Sequence, residues 1–241
     1  MSGSKRAWGK TARRWLKRLG VALGLVVLVP LLLVPLYGFV APISIPMLER
    51  YLTGRPVIRD WQGIDQVSDR LKAAVVMSED GQFCRHWGID LGALRAELRD
   101  LMNGESPRGA STITMQVARN LFLWNDRSYL RKALEIPLAL YIDLVLPKRR
   151  IMEIYLNIAE WGPNGQFGIA AGTQTAFGTG PESLSWGRAA LMAVALPNPV
   201  LRLPARPTRH VQRVAEIVEA RARQGANRIG CLYPSGRVSL Q

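Results

Sequence analysis

Two carboxylates lie side by side at Glu79 and Asp80, within Ser78-Glu79-Asp80-Gly81-Gln82-Phe83-Cys84-Arg85-His86-Trp87-Gly88-Ile89-Asp90. Upstream, Val67 to Ser78 has a helical pattern, with Ser68 as its cap and Leu71, Ala74, Val75 and Ser78 on one face. Gly81 has the place of a C′ residue, where glycine enters the left-handed region without steric cost. Glu79 and Asp80 then fall at the negative end of the helix dipole, which raises carboxylate pKa values. A general base working near neutral pH needs such a value. On these residues alone, a solvated acidic pair at a helix end is the simpler account.

Two further clusters carry patterned charge. In Gly109-Ala110-Ser111-Thr112-Ile113-Thr114-Met115-Gln116-x-x-Arg119-Asn120, helical spacing puts Thr112, Gln116 and Arg119 on one narrow face. Ile113, Val117 and Leu121 form the neighbouring apolar face, which is core. Uncharged donors beside a cation describe an anion cradle. In Arg131-Lys132-x-x-Glu135 both cations reach the carboxylate, at i, i+4 and i, i+3. As a surface ion pair this contributes only about 0.3 kcal/mol. Cations in a first helical turn oppose the dipole, and a cation N-terminal to its acid is the weaker orientation. Local disfavour of that kind fits a site that needs positive charge for a ligand.

Glu79-Asp80-x-x-Phe83-x-x-His86-x-Gly88 resembles the first motif of the peptidoglycan glycosyltransferases, a lysozyme-like family shared with class A penicillin-binding proteins. The clusters at 109–120 and 131–135 resemble the second and third motifs. Lys148 to Asn157 is similar to the helix that precedes the fourth, Asn164 to Ile169 with Ala176-Phe177-Gly178 resembles the fourth, and Ala189 to Pro199 the fifth. The likeness runs from about residue 60 to 207. Met115 and Arg119 stand where the family has glutamine and lysine, Pro147 where it has serine, and Arg188 where it has glutamate. Pro137, inside the helix of Glu135, is a further departure and frees the Ala133 carbonyl.

The resemblance implies a mainly α, lysozyme-like domain that elongates glycan strands from lipid II, with inversion at the donor's anomeric carbon. It implies Glu79 as the base for the 4-hydroxyl of the acceptor GlcNAc. Glu135 would organise the departing undecaprenyl pyrophosphate, directly or through a divalent cation (Mg or Mn), beside Arg119, Arg131 and Lys132. Asp80, Phe83, His86, Ser111, Thr112 and Gln116 would shape the donor side, with Asn120 in the same motif and Arg95 at a further family position. The sequence names no metal ligand set. The implied partners are lipid II, the lipid-linked glycan chain, the inner membrane and other cell-wall synthases.

The elements that must position these residues are helical, since no sustained alternation argues for a sheet. Helices are expected near 67–79, 90–102, 111–122, 128–146, 148–157, 168–177, 185–196 and 207–224, with Gly- and Pro-rich loops at 103–110 and 161–168. Residues 225–241 have no clear assignment. Leu19 to Val40 is uncharged and long enough, at roughly 33 Å as a helix, for a hydrocarbon core of about 30 Å. The expected organisation is a basic cytoplasmic tail at 1–18, a transmembrane helix at 19–40, a stiff connector at 41–60 and the catalytic domain at 61–241. Seven cations and no acid in the first 18 residues place the N-terminus in the cytoplasm and the domain in the periplasm.

The formal net charge of +14 suits an anionic membrane surface, a pyrophosphate or nucleic acid. Nucleic acid is set aside by the anchor. Cys84 and Cys231 are the only cysteines, no His/Cys cluster suggests zinc, and the two thiols are expected to stay unpaired. The one Ser-x-x-Lys is Ser2 to Lys5 and Lys-Thr-Gly is absent, so no transpeptidase activity is expected. A lytic transglycosylase or muramidase, using one glutamate on a similar fold, is the alternative, and an inactive membrane-anchored scaffold is another. A cleaving enzyme has no pyrophosphate to hold, so the cations at 119, 131 and 132 discriminate against it.

Overall fold

The computed structural model describes residues 3–105, 109–126, 128–236 and 238. Ser2 of the Ser-x-x-Lys, part of the 103–110 loop and part of the 225–241 tail lie outside them. The chain divides into two compact units, residues 1–40 and 41–241. The first holds α1 (Gly3–Leu36), which contains Pro30 and Pro35. Among the described residues no helix is long and apolar enough to cross a membrane. The side chains of Leu19, Ala22 and Leu23, inside the uncharged stretch, are outside that set.

The second unit is mainly helical. In order it comprises α2 (Ile45–Leu52), β1 (Ile58–Arg59), α3 (Asp69–Glu79), α4 (Leu91–Met102), α5 (Ile113–Phe122), α6 (Tyr129–Val145), α7 (Lys148–Ile158), β2 (Gln166–Phe167), α8 (Ile169–Phe177), α9 (Trp186–Ala195) and α10 (Arg209–Gln224). Eight of these helices begin and end within two residues of the expected positions. Residues 41–60 carry α2 and β1, neither of which the Pro-rich pattern announced. α2 starts behind Ser44, whose hydroxyl accepts from the Met47 amide, with proline in its first turn. β1 pairs in parallel with β2, Ile58 opposite Gln166 and Arg59 opposite Phe167.

Side-chain caps begin most of the helices that matter for the site. Ser68 accepts from Leu71 N at 3.2 Å, Thr112 from Met115 N at 3.1 Å and Ser128 from Arg131 N at 3.2 Å. Ser185 still caps α9, although Arg188 has removed the reciprocal half of the capping box. α6 runs unbroken through Pro137.

α3 is the axis of the domain. The sequence pattern assigned it one apolar face, but every residue from Leu71 to Val76 is buried. The reason is that α9, α10 and the 3-10 turn Ala226–Leu232 all pack on it. Even Lys72 is buried, and its ammonium is satisfied by Asp69 at 2.6 Å, by the Ile64 carbonyl at 3.2 Å and by the Tyr233 ring. α5 lies against α6 and α7, so the second and third charge clusters share one side of the domain.

Two expectations are corrected. Gly81 does not take the left-handed region. α3 ends at Asp80 (φ −159°, ψ 74°), and the chain continues in tight turns in which Phe83 N donates to Asp80 O and Arg85 N to Gln82 O. The glycine that needs a positive φ here is Gly88, at +74°, where an added Cβ would lie 2.4 Å from the Ala139 carbonyl oxygen of α6. The second correction concerns the cysteines. Cys84 and Cys231 form a disulfide with Cα atoms 5.5 Å apart and 147 residues of separation. Packing of the 226–232 turn on α3 and α7 brings the tail to the start of the chain's acidic motif, a proximity no local pattern encodes. Arg228 reinforces it by donating to Gly81 O at 3.2 Å, and Arg149 by donating to Leu232 O at 3.0 Å. Closing so long a loop constrains the unfolded chain by on the order of 5 kcal/mol in the chain-entropy account, of which 2–5 kcal/mol is the common measured range. Replacing both cysteines by serine should therefore lower unfolding free energy by about 2–5 kcal/mol in urea titrations at neutral pH. A loss below about 0.5 kcal/mol would show that the tail is held by packing alone.

Candidate active site

Glu79 closes α3, where it is half-buried. Its Oε2 accepts from Gln116 Nε2 at 3.0 Å and its Oε1 from Ser78 Oγ at 3.2 Å. Gln116 sits on α5, and its own carbonyl accepts from the Tyr155 hydroxyl of α7 at 3.2 Å. Burial pushes the Glu79 carboxyl above the ordinary value, against hydrogen bonds from Gln116 and Ser78 and the fields of Arg119 and Arg202. The cause of the raised value is therefore burial more than the helix end from which it was expected.

Asp80, next along the chain, does something different. It is 8 % exposed and is used up by structure. His86 Nε2 donates to its carboxylate at 2.9 Å, and the Ile113 amide, the first of α5, donates to Oδ2 at 3.0 Å. An anion at a helix N-terminus is favourable, so this contact pins the start of α5 to the end of α3. Thr112 completes the join by donating to Gly88 O at 2.6 Å. Thr112 is therefore a buried cap and strut, and its hydroxyl is not presented to the cleft as the helical-face reading had it. Phe83 is fully buried with the Lys148 ammonium 4.6 Å from its ring centre, and packs edge-on to His86.

The cations assemble as the charge pattern suggested. Glu135, 2 % exposed, is paired with Arg131, and its other oxygen is 4.0 Å from Lys132 Nζ. Lys132 also donates to Ser111 Oγ. Burial raises the Glu135 carboxyl as well, with Arg131, Lys132 and Arg119 pulling the other way. Arg119 thus acts on both carboxylates and lies between the two clusters. Its Nε–H is buried and has no hydrogen-bond partner among the described residues. Arg119 lines a cleft of about 200 Å³ with Gln116, Asn120, Tyr155, Glu160 and Pro46. A second hollow of about 300 Å³ is lined by Arg131, Lys132, Ser128, Tyr129 and Glu97. Arg95 is exposed on α4.

Three contributors were not singled out by sequence reasoning. Tyr155 lay in a block matched to the family, between Ile154 and Leu156 of α7, and that placement was the available signal. Arg202 acts on Glu79 from beyond α9 while donating to Val194 O at 3.1 Å, and no spacing relates it to residue 79. Glu160 is held at the cleft by Arg50 of α2, 2.6 Å away.

The donor set does not make a protein cage for a divalent cation. Among the described residues no three His, Cys, Asp or Glu side chains converge. Magnesium is commonly held by one or two carboxylates together with substrate phosphates, and Glu135, beside Arg131 and Lys132, is the carboxylate that would serve here.

A carboxyl whose folded-state value is raised binds more protons folded than unfolded above pH 4.5, so stability declines as pH rises from there through the folded value. Glu79→Gln removes that contribution. The variant is expected to exceed wild type in unfolding free energy at pH 7.5 and to approach it at pH 4.5, as read by denaturant titration. Parallel curves across that range would mean that Glu79 is not desolvated.

A family model described as Transglycosylase matches residues 47–223. A biosynthetic peptidoglycan transglycosylase of Rhodopseudomonas palustris (strain TIE-1) is 54 % identical over 203 residues, covering 84 % of this chain and 86 % of the relative. Proteins of the same name from Mesorhizobium japonicum (49 % over 226 residues, 92 % and 95 %) and Brucella suis biovar 1 (49 % over 223 residues, 90 % and 99 %) match along nearly their whole lengths. With the match spanning α2 to α10 and every charge cluster described above, the chain belongs to the transglycosylase family.

Proposed function

We propose that this enzyme polymerises peptidoglycan glycan strands, transferring the growing chain from its undecaprenyl-pyrophosphate carrier to the 4-hydroxyl of the GlcNAc of the next lipid II. The observation that carries this reading is the pairing of a desolvated carboxylate, Glu79, with a cleft cation, Arg119, whose buried Nε–H lacks a partner. Chemistry of that type needs a base for a sugar hydroxyl and positive charge for a departing diphosphate. The shared name of the relatives, biosynthetic, favours making glycan over cutting it.

In the proposed step Glu79 takes the proton of the acceptor 4-hydroxyl as its oxygen attacks the donor's anomeric carbon. The bond from that carbon to the pyrophosphate oxygen breaks, the electron pair leaves with the lipid pyrophosphate, and the centre inverts. Arg119, Arg131 and Lys132 meet the developing negative charge. Glu135 is assigned the task of holding Arg131 and Lys132 in register. Asp80 and His86 maintain the junction of α3 with α5 and so the position of Gln116 and Arg119.

The uncharged stretch Leu19–Val40, behind a basic tail, is proposed as a single inner-membrane anchor with the N-terminus in the cytoplasm and the catalytic unit in the periplasm. Both substrates are lipid-held, so tethering the enzyme to the same surface confines the encounter. Contacts with other wall synthases are consistent with that location.

Purified Glu79→Gln is expected to keep its fold and lose lipid II polymerisation by at least about 10²-fold, the scale of general-base loss. Turnover near wild type would remove Glu79 from the role of base. Arg131→Ala should depress turnover by about 10²-fold, measured on lipid II at a temperature where the variant is folded, and, because it leaves the buried Glu135 without its partner, should also cost about 3–5 kcal/mol of stability. If both effects are small, Arg131 and Glu135 are an ordinary ion pair.

A further inference from the structure

We infer that Tyr155 is a positioning residue for the reaction, because its phenol decides which end of the Gln116 amide faces Glu79. The inference rests on the reading of Glu79 as the base and adds to it a member that no charge or spacing pattern singled out.

Three side chains from three helices form one directed chain. The Tyr155 hydroxyl of α7 donates to Gln116 Oε1 at 3.2 Å, and Gln116 Nε2 of α5 donates to Glu79 Oε2 at the end of α3 at 3.0 Å. Tyr155 is 1 % exposed, and Gln116 Oε1 is the acceptor the structure gives its proton. Burial, with the Glu79 and Asp80 carboxylates adding to it against Arg119, holds the phenol well above its ordinary value, so the hydroxyl keeps that proton and must place it. Gln116 can satisfy either neighbour in two ways, since an amide presents a carbonyl at one side and an NH₂ at the other. Only the observed orientation serves both. Turned over, the amide would aim lone pairs at the Glu79 carboxylate and leave the phenol proton buried without an acceptor, a cost that native interiors avoid. The three groups also polarise one another, so a donor fed by Tyr155 is a stronger donor to Glu79.

The ionised form of Glu79 is what a base must present to the acceptor hydroxyl. Other groups bear on the same carboxylate: Ser78 from its own helix, Arg119 from α5 and Arg202 from beyond α9. Asp80 bears on Tyr155. Tyr155 differs from all of these in acting through the amide and not directly. Its removal should therefore be felt only while Gln116 is present.

That condition supplies the test. For the full chain in detergent, the pH dependence of kcat/KM on lipid II and the ¹³C titration of the Glu79 carboxyl are measured for wild type, Tyr155→Phe, Gln116→Leu and the double variant. Tyr155→Phe should move the acid limb and the carboxyl titration up by about one unit, the size of one hydrogen bond to a carboxylate. Gln116→Leu should move both upward by at least as much, and adding Tyr155→Phe to it should move them no further. 3-Fluorotyrosine at position 155, a stronger donor of nearly the same size, should move both downward, and it tests the relay should the phenylalanine variant fold poorly. Titrations that coincide with wild type, or shifts that add in the double variant, would overturn the inference. The carboxyl titration reads the hydrogen-bond chain whether or not Glu79 is the base, whereas retained turnover in Glu79→Gln would defeat the base and leave the titration result standing.

Discussion

A carboxylate partly removed from water at the end of a buried helix is the constraint on which the rest of the site depends. Glu79 is costly to bury as an anion, and α3 could not end there without compensation from outside its own length. Compensation comes from α5 through Gln116 and Arg119, from α7 through Tyr155 and from the loop after α9 through Arg202. α7 packs on α5 and α9 packs on α3, so the electrostatic arrangement is only as well defined as the core beneath it.

The adjacent carboxylates divide the labour by environment. Asp80 is consumed by His86 and by the first amide of α5, which makes it a structural joint. Glu79 keeps weaker partners and a raised affinity for protons. Two neighbouring acids at one helix end thus take opposite tasks because one turns toward the N-terminus of α5 and the other toward the Gln116 side chain. Gly88 and Thr112 stiffen the same joint, and the Cys84–Cys231 disulfide with Arg228 ties its outer side to the tail. The charge cluster of Arg131, Lys132 and Glu135 sits on α6, which packs on α5, and Arg119 of α5 acts on both Glu135 and Glu79. Positive charge is concentrated there against local helix preference, which is the pattern expected where a ligand and not the fold requires it.

Much of this was legible in the chain itself. Helix positions followed from apolar period and from Ser and Thr caps, because both act over a few residues and are written locally. The i, i+4 spacing of Arg131 and Glu135 held for the same reason. Thr112 was misread because its hydroxyl could serve either a cap or a ligand, and only the position of Gly88 settles which. α3 was read as one-faced because periodicity reports one partner, whereas three elements surround it. The disulfide was missed because 147 residues separate its ends and no sequence rule measures distance across a fold.

By itself the sequence determined the helical character, the register of each helix, the charge clusters and the motif order, all properties set by interactions between near neighbours. Tertiary structure alone decided that burial raises the Glu79 carboxyl, that Tyr155 and Arg202 bear on it and that the tail is bonded to the first motif. Those outcomes depend on which surfaces are removed from water together, and that is a property of the packed core and not of any stretch of chain.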